Sequence, residues 1–177
     1  APIVAIKVGG NGLDVIKSLT ALTEALGASP DTVAAARADF DRASTELTAA
    51  ATQSTLEVTQ MYADADGIYV VKPADEPETQ LYQSLGVTYT DLHPDGTYYW
   101  DIFSWENVGQ MMTGDVLLAN VEGFQQAELA AQPTFAASPA LVAGQVHTWN
   151  GAALDYASQA VQMGKLTEIL RSSQQVA

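Results

Sequence analysis

Residues 29–51, with the sequence SPDTVAAARADFDRASTELTAAA, decide the fold because their pattern predicts one long helix. Ser29 is the predicted N-cap, Pro30 fits the first helical position, and Asp31 adds negative charge where the helix dipole favours it. Apolar residues recur at spacings of three and four: Val33, Ala36, Phe40, Ala43, Leu47 and Ala50. At about 1.5 Å per residue, this amphipathic helix would be roughly 30 Å long. It is either an ordinary helix that covers a core or a strut between two lobes.

The composition is that of a folded globular protein. Of the 177 residues, 47% are hydrophobic and 16% are charged, which indicates one domain, or one domain and a fragment. No apolar run approaches the roughly 18 residues of a membrane-spanning helix. The sequence begins with Ala1-Pro2 and has no signal-peptide pattern. We therefore expect a processed or truncated chain, with any export signal or lipid-anchor cysteine upstream.

Acidic residues dominate the charge. Seven Lys and Arg against 21 Asp and Glu give a net charge of −14, which repels nucleic acids and anionic membranes and excludes them as expected partners. No Lys or Arg occurs between Lys72 and Lys165. Whatever this region binds is held without a guanidinium or an ammonium group. The absence of cysteine excludes disulfides, thiol catalysis and cysteine-bound metals.

Strands and helices alternate along the chain. Strand patterns occur at 3–8, 56–62, 68–71, 87–89, 115–121 and 146–149. Helical patterns occur at 13–26, 29–51, 75–85, 105–112, 124–130 and 152–170. We predict that Asp75 caps the third helix, and that the last helix turns these residues inward: Leu154, Ala157, Val161, Leu166 and Leu170. This order predicts an α/β fold, a three-layer Rossmann-like lobe with a mostly parallel sheet, preceded by the long helix.

Motifs of known enzymes are absent from the sequence. There is no GxSxG, GxxxxGK[ST] or HExxH pattern, and we interpret residues 9–12 as a plain loop. His93 and His147 lie far apart, and each is interpreted as structural or exposed. The acidic groups Asp64/Asp66 and Asp75/Glu76/Glu78 do not match an EF-hand loop and are interpreted as solvated turns. We predict no catalytic residue, no metal site and no intrinsic cofactor.

Aromatic residues remain as candidate ligand contacts. They fall largely at predicted strand ends and in the following loops, where open α/β sheets place ligands. The set comprises Tyr62, Tyr69, Tyr98, Tyr99, Trp100, Trp105 and Trp149. The alternative is that part of this set belongs to the core or to strand surfaces.

The order of these elements resembles the C-terminal lobe of the substrate-binding proteins of iron–siderophore and cobalamin ABC importers. Three stretches carry the resemblance: the strand at 3–8 with the helix at 29–51, the sequence IFSWENV at 102–108 leading to GDVLL at 114–118, and FAASPALVAGQVH at 135–147. In that family a long rigid helix bridges two α/β lobes, and the ligand lies between them. The resemblance therefore implies three parts: a remnant of the N-terminal lobe (1–28), the bridging helix (29–52) and the C-terminal ligand-binding lobe (53–177).

Two departures from the family pattern are visible. Almost the whole N-terminal lobe is missing, so half of the cleft is absent from the sequence. The family often places an arginine just after the strand at 56–61, where this chain has Gln60-Met61-Tyr62.

The resemblance implies an extracytoplasmic binding protein, periplasmic or on the cell surface and lipid-anchored, that delivers a ferric siderophore to an ABC-importer permease and is not an enzyme. Glu106 is the position that best matches the family's permease-docking acid. The lack of cations predicts a hydroxamate rather than a triply anionic catecholate, bound against aromatic walls formed by Tyr62, Tyr99, Trp100 and Trp149. The alternatives are a haem-binding protein, with a Tyr or His on the iron, and an α/β enzyme domain whose catalytic residues lie on a missing segment.

Overall fold

Two helices precede the sheet. The structure, a computed structural model, describes residues 5, 9–92, 99–108 and 114–176. Helix α1 spans Gly12–Ala25, with the Asn11 side chain accepting a hydrogen bond from the Leu13 N–H at 2.9 Å. Helix α2 spans Pro30–Gln53. The predicted strand at 3–8 lies outside the described residues except for Ala5.

Helix α2 confirms the predicted amphipathic stripe. Phe40, Leu47 and Ala50 are buried, and Ala36 and Ala43 are partly buried against the same core cluster. This stripe packs along the C-terminal helix α7, Tyr156–Ser172. Small alanine side chains let the two helices approach closely.

A mixed sheet forms the middle layer. Its strands are β1 (Glu57–Ala63), β2 (Ile68–Val71), β3 (Thr88–Tyr89), β4 (Trp100–Phe103), β5 (Val116–Asn120) and β6 (Val146–Trp149), in the order β4-β2-β1-β5-β6, with β3 also paired to β1. The pairs β1–β3, β1–β5 and β5–β6 are parallel. The pairs β1–β2 and β2–β4 are antiparallel. The α/β class is therefore confirmed, and a hairpin makes the sheet mixed rather than purely parallel.

The turn of this hairpin is built by Asp64. Its Oδ1 accepts hydrogen bonds from the N–H groups of Asp66 at 2.8 Å and Gly67 at 3.2 Å, and its own N–H donates to the Gly67 carbonyl at 3.0 Å. A Cβ atom on Gly67 would collide with the carbonyl oxygen of Phe103. Only glycine therefore lets β2 start this close to the end of β4.

Helices cover both faces of the sheet. Residues of α1, α2, α3 (Pro77–Ser84) and α7 form one core cluster with the sheet. Residues of α4 (Trp105–Val108), α5 (Gln126–Ala130) and α6 (Pro139–Val142) form a second cluster on the other face. This is the predicted three-layer arrangement. Within the part of the chain that the structure describes, no helix has the length and apolar character needed to cross a membrane.

Two helix predictions need correction. Helix α3 begins at Pro77, and its cap is Glu76, whose carboxylate accepts a hydrogen bond from the Thr79 N–H, rather than Asp75. Helix α7 begins at Tyr156 with Asp155 as its cap, and it exposes Ala157 and Val161.

The predicted inward face of α7 was partly wrong because polar side chains occupy it. Gln159, Gln162 and Thr167 are buried, together with Met163 and Leu166. The two glutamines are satisfied inside: Gln159 Nε2 donates to Glu78 at 3.0 Å, and Gln162 Nε2 donates to the Asn150 carbonyl at 2.8 Å.

The amino end of the sheet is closed by hydrogen bonds to the segment after α7. The Asp115 carboxylate accepts from the Glu57 N–H at 2.9 Å and from the Val176 N–H at 2.7 Å. The Gln145 amide exchanges two further bonds with the backbone of Gln174, at 2.9 and 2.7 Å. This end is therefore occupied by the chain itself, whereas the opposite end carries the loops after β1, β5 and β6.

Candidate ligand-binding face

Four aromatic side chains lie next to one another on the hairpin, on β4 and on the residue just before β4. We call Tyr62, Tyr69, Tyr99 and Trp100 the aromatic face. The register pairs Tyr62 with Tyr69 and Tyr69 with Ile102, and it pairs Val71 with Trp100. Ring centroids are 5.5 Å apart for Tyr62–Tyr69, 6.5 Å for Tyr69–Trp100 and 4.9 Å for Tyr99–Trp100.

The aromatic face is partly open to solvent and uncharged. Tyr99 is 39% exposed and the neighbouring Ile102 is 58% exposed, while Tyr62, Tyr69 and Trp100 are half-buried. Burial, and then the negative charges of Glu76 and Glu78, raise the pKa of the Tyr99 phenol above its ordinary value. That phenol is therefore neutral at physiological pH. The surface offers flat, polarisable rings with few charges.

The basic residue nearest in sequence to the aromatic face, Lys72, forms an ion pair. Lys72 follows β2 directly, and its Nζ lies 3.2 Å from the Asp101 carboxylate, with both side chains 11% exposed. Asp101 and Trp100 are adjacent on β4, so their side chains point to opposite sides of the strand. The ion pair therefore lies behind the aromatic face. The other basic residues that the structure describes are on helices: Lys17, Arg37, Arg42, Lys165 and Arg171.

The structure places Trp149 elsewhere than we expected. It is 3% exposed and belongs to the core cluster under α2 and α7. Its side chain emerges from the last residue of β6, between the sheet and α7, where the hydrophobic effect favours burial of the indole. Trp149 is therefore a core residue in the described part of the chain.

Trp105 also serves the core. Its Nε1 donates to the Asp64 carbonyl at 3.0 Å, which ties α4 to the hairpin turn. Its ring stacks on Phe124 at 6.1 Å and meets Phe135 edge-on at 6.4 Å. Tyr98 and His93 lie outside the described residues. Of the seven candidate aromatics, the structure thus brings together Tyr62, Tyr69, Tyr99 and Trp100.

Glu106 is fully exposed near the start of α4. Hydrogen bonds from its own backbone N–H and from the Ser104 hydroxyl lower the pKa of its carboxyl below the ordinary value. The group therefore carries its charge over the whole physiological range. An accessible, permanently charged carboxylate suits contact with a basic partner.

Sequence reasoning missed a buried carboxylate. Glu78, interpreted above as part of a solvated turn, is only 3% exposed. Its Oε1 accepts from the Tyr82 hydroxyl at 3.1 Å, from Gln159 Nε2 at 3.0 Å and from the Ala152 N–H at 3.3 Å. Burial raises the pKa of this carboxyl. The interaction joins α3 to α7 and to the loop after β6, and the spacing of four between Glu78 and Tyr82 was the signal that could have revealed it.

Neither acidic group forms a metal site in the described residues. Asp64 is used by the hairpin turn, Glu76 caps α3, and Glu78 is buried. No group of three or more His, Asp or Glu side chains in residues 9–92, 99–108 and 114–176 could hold a metal ion.

No protein-family model and no curated protein sequence matches the chain. Solved structures do. DesE, a ferric-siderophore receptor protein from Streptomyces coelicolor, matches 98% of this chain with a TM-score of 0.87 and 26% identity, over 61% of its own length. The siderophore periplasmic binding protein from the fuscachelin gene cluster of Thermobifida fusca matches 92% of this chain with a TM-score of 0.74 and 21% identity, over 62% of its length.

A third match is a periplasmic binding protein component of a ferrichrome ABC transporter from Bacillus subtilis. It covers 89% of this chain with a TM-score of 0.68 and 18% identity, over 61% of its own length. The chain thus spans about three fifths of the length of the structures it matches. These are binding proteins of transport systems and not enzymes. The resemblance drawn from the sequence is confirmed, because the chain has the fold of the C-terminal lobe of a siderophore-binding protein of the ABC-importer type.

Proposed function

We propose that this chain is the ligand-binding lobe of an extracytoplasmic binding protein that captures a ferric siderophore and delivers it to an ABC importer. The observation that carries the proposal is the match to the ferric-siderophore receptor DesE, with a TM-score of 0.87 over 98% of the chain. The proposal includes a second lobe on residues outside the printed sequence, with α2 as the bridge between the lobes. It also includes a location outside the cytoplasmic membrane and a lipid anchor.

The aromatic face supports binding of a ferric complex. Tyr62, Tyr69, Tyr99 and Trp100 form a continuous set of rings at the exposed edge of the sheet. Flat chelate rings and methylene chains pack well against such a surface, and a positive complex gains further from the electron-rich ring faces. Burial of apolar surface, which contributes about 25 cal/mol per Å², would provide most of the affinity.

The charge distribution favours a hydroxamate siderophore. A triscatecholate complex carries a charge of about −3. Two unit charges 4 Å apart interact by about 4 kcal/mol at an effective dielectric near 20, so a site without a free cation forgoes about this much attraction for each unpaired charge. Among the described residues, Lys72 is the basic residue nearest in sequence to the aromatic face, and it is paired with Asp101 behind that face. Ferric hydroxamates are neutral or cationic and need no such partner.

A competition titration tests this proposal. The complete protein is titrated with a neutral ferric trihydroxamate, a triply anionic ferric triscatecholate and haemin, at low and high salt, with tryptophan fluorescence and the Soret band as readouts. We expect the hydroxamate to bind most tightly, with little dependence on salt because no ion pair forms. A preference for the triscatecholate would overturn the hydroxamate assignment. Tight binding of haemin with a shifted Soret band, and no binding of either siderophore, would overturn the proposed function.

A further inference from the structure

The turn that follows β5 lies directly beside Tyr62. We call residues 120–123 the β5 turn. The parallel pairing of β1 with β5 ends one residue before Tyr62 and Asn120, so these two residues are neighbours as well. A Cβ atom on Gly123 would lie 2.9 Å from Cδ2 of the Tyr62 ring and 2.7 Å from the Ala63 carbonyl oxygen. Glycine therefore lets the backbone of the β5 turn contact the first ring of the aromatic face.

Hydrogen bonds hold the β5 turn in one conformation. The Gly123 N–H donates to the Asn120 carbonyl at 3.0 Å, and the Glu122 N–H donates to Asn120 Oδ1 at 2.9 Å. Gln125 Nε2 donates to the carbonyl oxygens of Asn120, at 2.8 Å, and Gly123, at 3.0 Å. The N–H of the residue after the turn donates to the last carbonyl of β1 at 2.8 Å. The β5 turn is therefore preorganised on the sheet, and a ligand that binds it need not order it.

Val121 and Glu122 form the tip of this turn. Val121 is 48% exposed, and Glu122 is also exposed. The tip follows the carboxyl end of β5, the edge at which open α/β sheets bind ligands. Glu122 forms no ion pair with any residue that the structure describes. The β5 turn thus presents a carboxylate without a cation, one residue away from the backbone that contacts Tyr62.

The charges around the aromatic face favour a positive group on the ligand. Lys72 is paired with Asp101 behind the face, and the other basic residues that the structure describes are on helices. A negative group on the ligand would be repelled by Glu122, whereas a positive group would be attracted to it. Three hydroxamates neutralise one ferric ion, so the net charge of such a complex is set by the group at the end of its chain.

We propose that Glu122 is a specificity-determining ligand contact, which pairs with a cationic group of the bound ferric hydroxamate. The class of ligand that fits is a linear trihydroxamate whose chain ends in a primary amine, because that amine is protonated at neutral pH and gives the complex a net charge of about +1. Its chelate rings and methylene chains pack on the aromatic face, and its ammonium group reaches the β5 turn. This assignment rests on the proposed function and adds the part of the ligand that is recognised besides the iron centre.

Two ligands and three variants test the assignment in the complete protein. The ligands are a linear ferric trihydroxamate that ends in a primary amine and the same complex with this amine acetylated, which is neutral. Glu122→Gln removes the charge at the tip of the turn, and Glu122→Lys reverses it. Glu46→Gln makes the matched change at an exposed position of α2. Titrations followed by tryptophan fluorescence at low and high salt measure the affinities.

We expect the unmodified protein at low salt to bind the amine-bearing complex about three- to fivefold more tightly than the acetylated one, the effect of an exposed ion pair. High salt should remove this preference by screening. Glu122→Gln should bind both complexes equally, Glu122→Lys should prefer the acetylated complex, and Glu46→Gln should keep the original preference.

Several outcomes would overturn the assignment. If the unmodified protein at low salt binds the amine-bearing complex no more tightly than the acetylated one, no carboxylate pairs with the amine, and the proposed function is untouched. If Glu122→Gln keeps the preference, or Glu46→Gln loses as much of it, the preference comes from other acids or from the net charge of the chain. If neither complex binds the unmodified protein, both the assignment and the proposed function fail.

Discussion

Trp100 and Trp149 are the residues that most directly separate ligand binding from folding. Trp100 is half-buried between Tyr69 and Tyr99 on the aromatic face, whereas Trp149 is 3% exposed in the core. We expect Trp100→Ala to weaken siderophore binding at least tenfold, about 1.4 kcal/mol, with a small change in stability. We expect Trp149→Ala to lower the free energy of unfolding by about 3–5 kcal/mol.

Leu26→Ala is a suitable control, because this leucine is 78% exposed at the end of α1, outside the strands that carry the aromatic face. Titration of ligand and urea denaturation of each variant provide both readouts. If Trp149→Ala abolished binding with unchanged stability, the indole would be a ligand contact as predicted from the sequence, and its placement in the core would be irrelevant to function.

Glu78 should make the stability of the protein depend on pH in mildly acidic solution. Burial raises the pKa of its carboxyl above the ordinary value of 4.5. The folded state therefore holds this proton more tightly than the unfolded state does. The stabilisation is fully present below pH 4.5 and is lost as the pH rises through the folded-state pKa.

We therefore expect the unmodified protein to lose stability relative to Glu78→Gln as the pH is raised from 4.5 toward neutrality. The unfolding free energy of the unmodified protein minus that of the variant should fall over this range. Urea denaturation at a series of pH values measures this difference. Glu122→Gln, at an exposed position after β5, is the control. Parallel stability curves for the unmodified protein and Glu78→Gln would show that Glu78 does not titrate in this range.

Among the helices, the N-cap residues of α2 and α7 differ in what they contribute. Ser29 precedes α2, but its hydroxyl makes no capping hydrogen bond. Asp155 precedes α7, and its carboxylate accepts from the Ser158 N–H at 2.8 Å and from the Ser158 hydroxyl at 2.7 Å. We expect Asp155→Ala to cost about 1 kcal/mol of stability and Ser29→Ala to cost a few tenths at most. Chemical denaturation of the two variants side by side provides the comparison, and equal losses would contradict the capping geometry.

Some helices and strands were predicted better from their sequences than others. The elements whose inward-facing side chains are apolar were predicted correctly, and those with polar inward-facing side chains were not. Helix α2 was predicted correctly because its inward positions, such as Phe40 and Leu47, are apolar. Strand β4 was not assigned because Asp101 faces inward to pair with Lys72, which hides the alternation of apolar and polar residues. The inward face of α7 was misplaced for the same reason, since Gln159 and Gln162 are buried. A buried polar pair can only be recognised once its partner is known.

The candidate site shows the same limit. Tyr62, Tyr99 and Trp100 were predicted from their position near strand ends, and the structure places them together with Tyr69. Trp149 occupies an equivalent position at the end of β6, yet α7 covers it. Sequence pattern locates the end of a strand, but which strand ends are covered depends on how the helices cross the sheet.

For the whole molecule, Glu106 provides a test of delivery that is independent of capture. Its carboxylate is fully exposed and charged on α4. We expect Glu106→Ala in the complete protein to slow siderophore import into cells while the affinity for the ligand in solution stays the same, because a contact with basic residues of the permease is lost. Glu46→Ala, an exposed acid in the middle of α2, should leave import unchanged. Normal import by Glu106→Ala would show that docking uses another surface.

The close approach of Gly67 to β4 has a consequence for the protein's tolerance of mutation. Any side chain at this position would push the start of β2 away from the Phe103 carbonyl and tilt Tyr69 relative to Trp100. In a saturation library selected only for growth on a single iron source, position 67 should therefore accept glycine alone, because of this backbone contact. Position 26, a large leucine open to water, should accept almost any residue. A strict requirement at position 67 and a broad tolerance at position 26 would show, from growth data alone, that the backbone contact at Gly67 is needed to hold the rings in place.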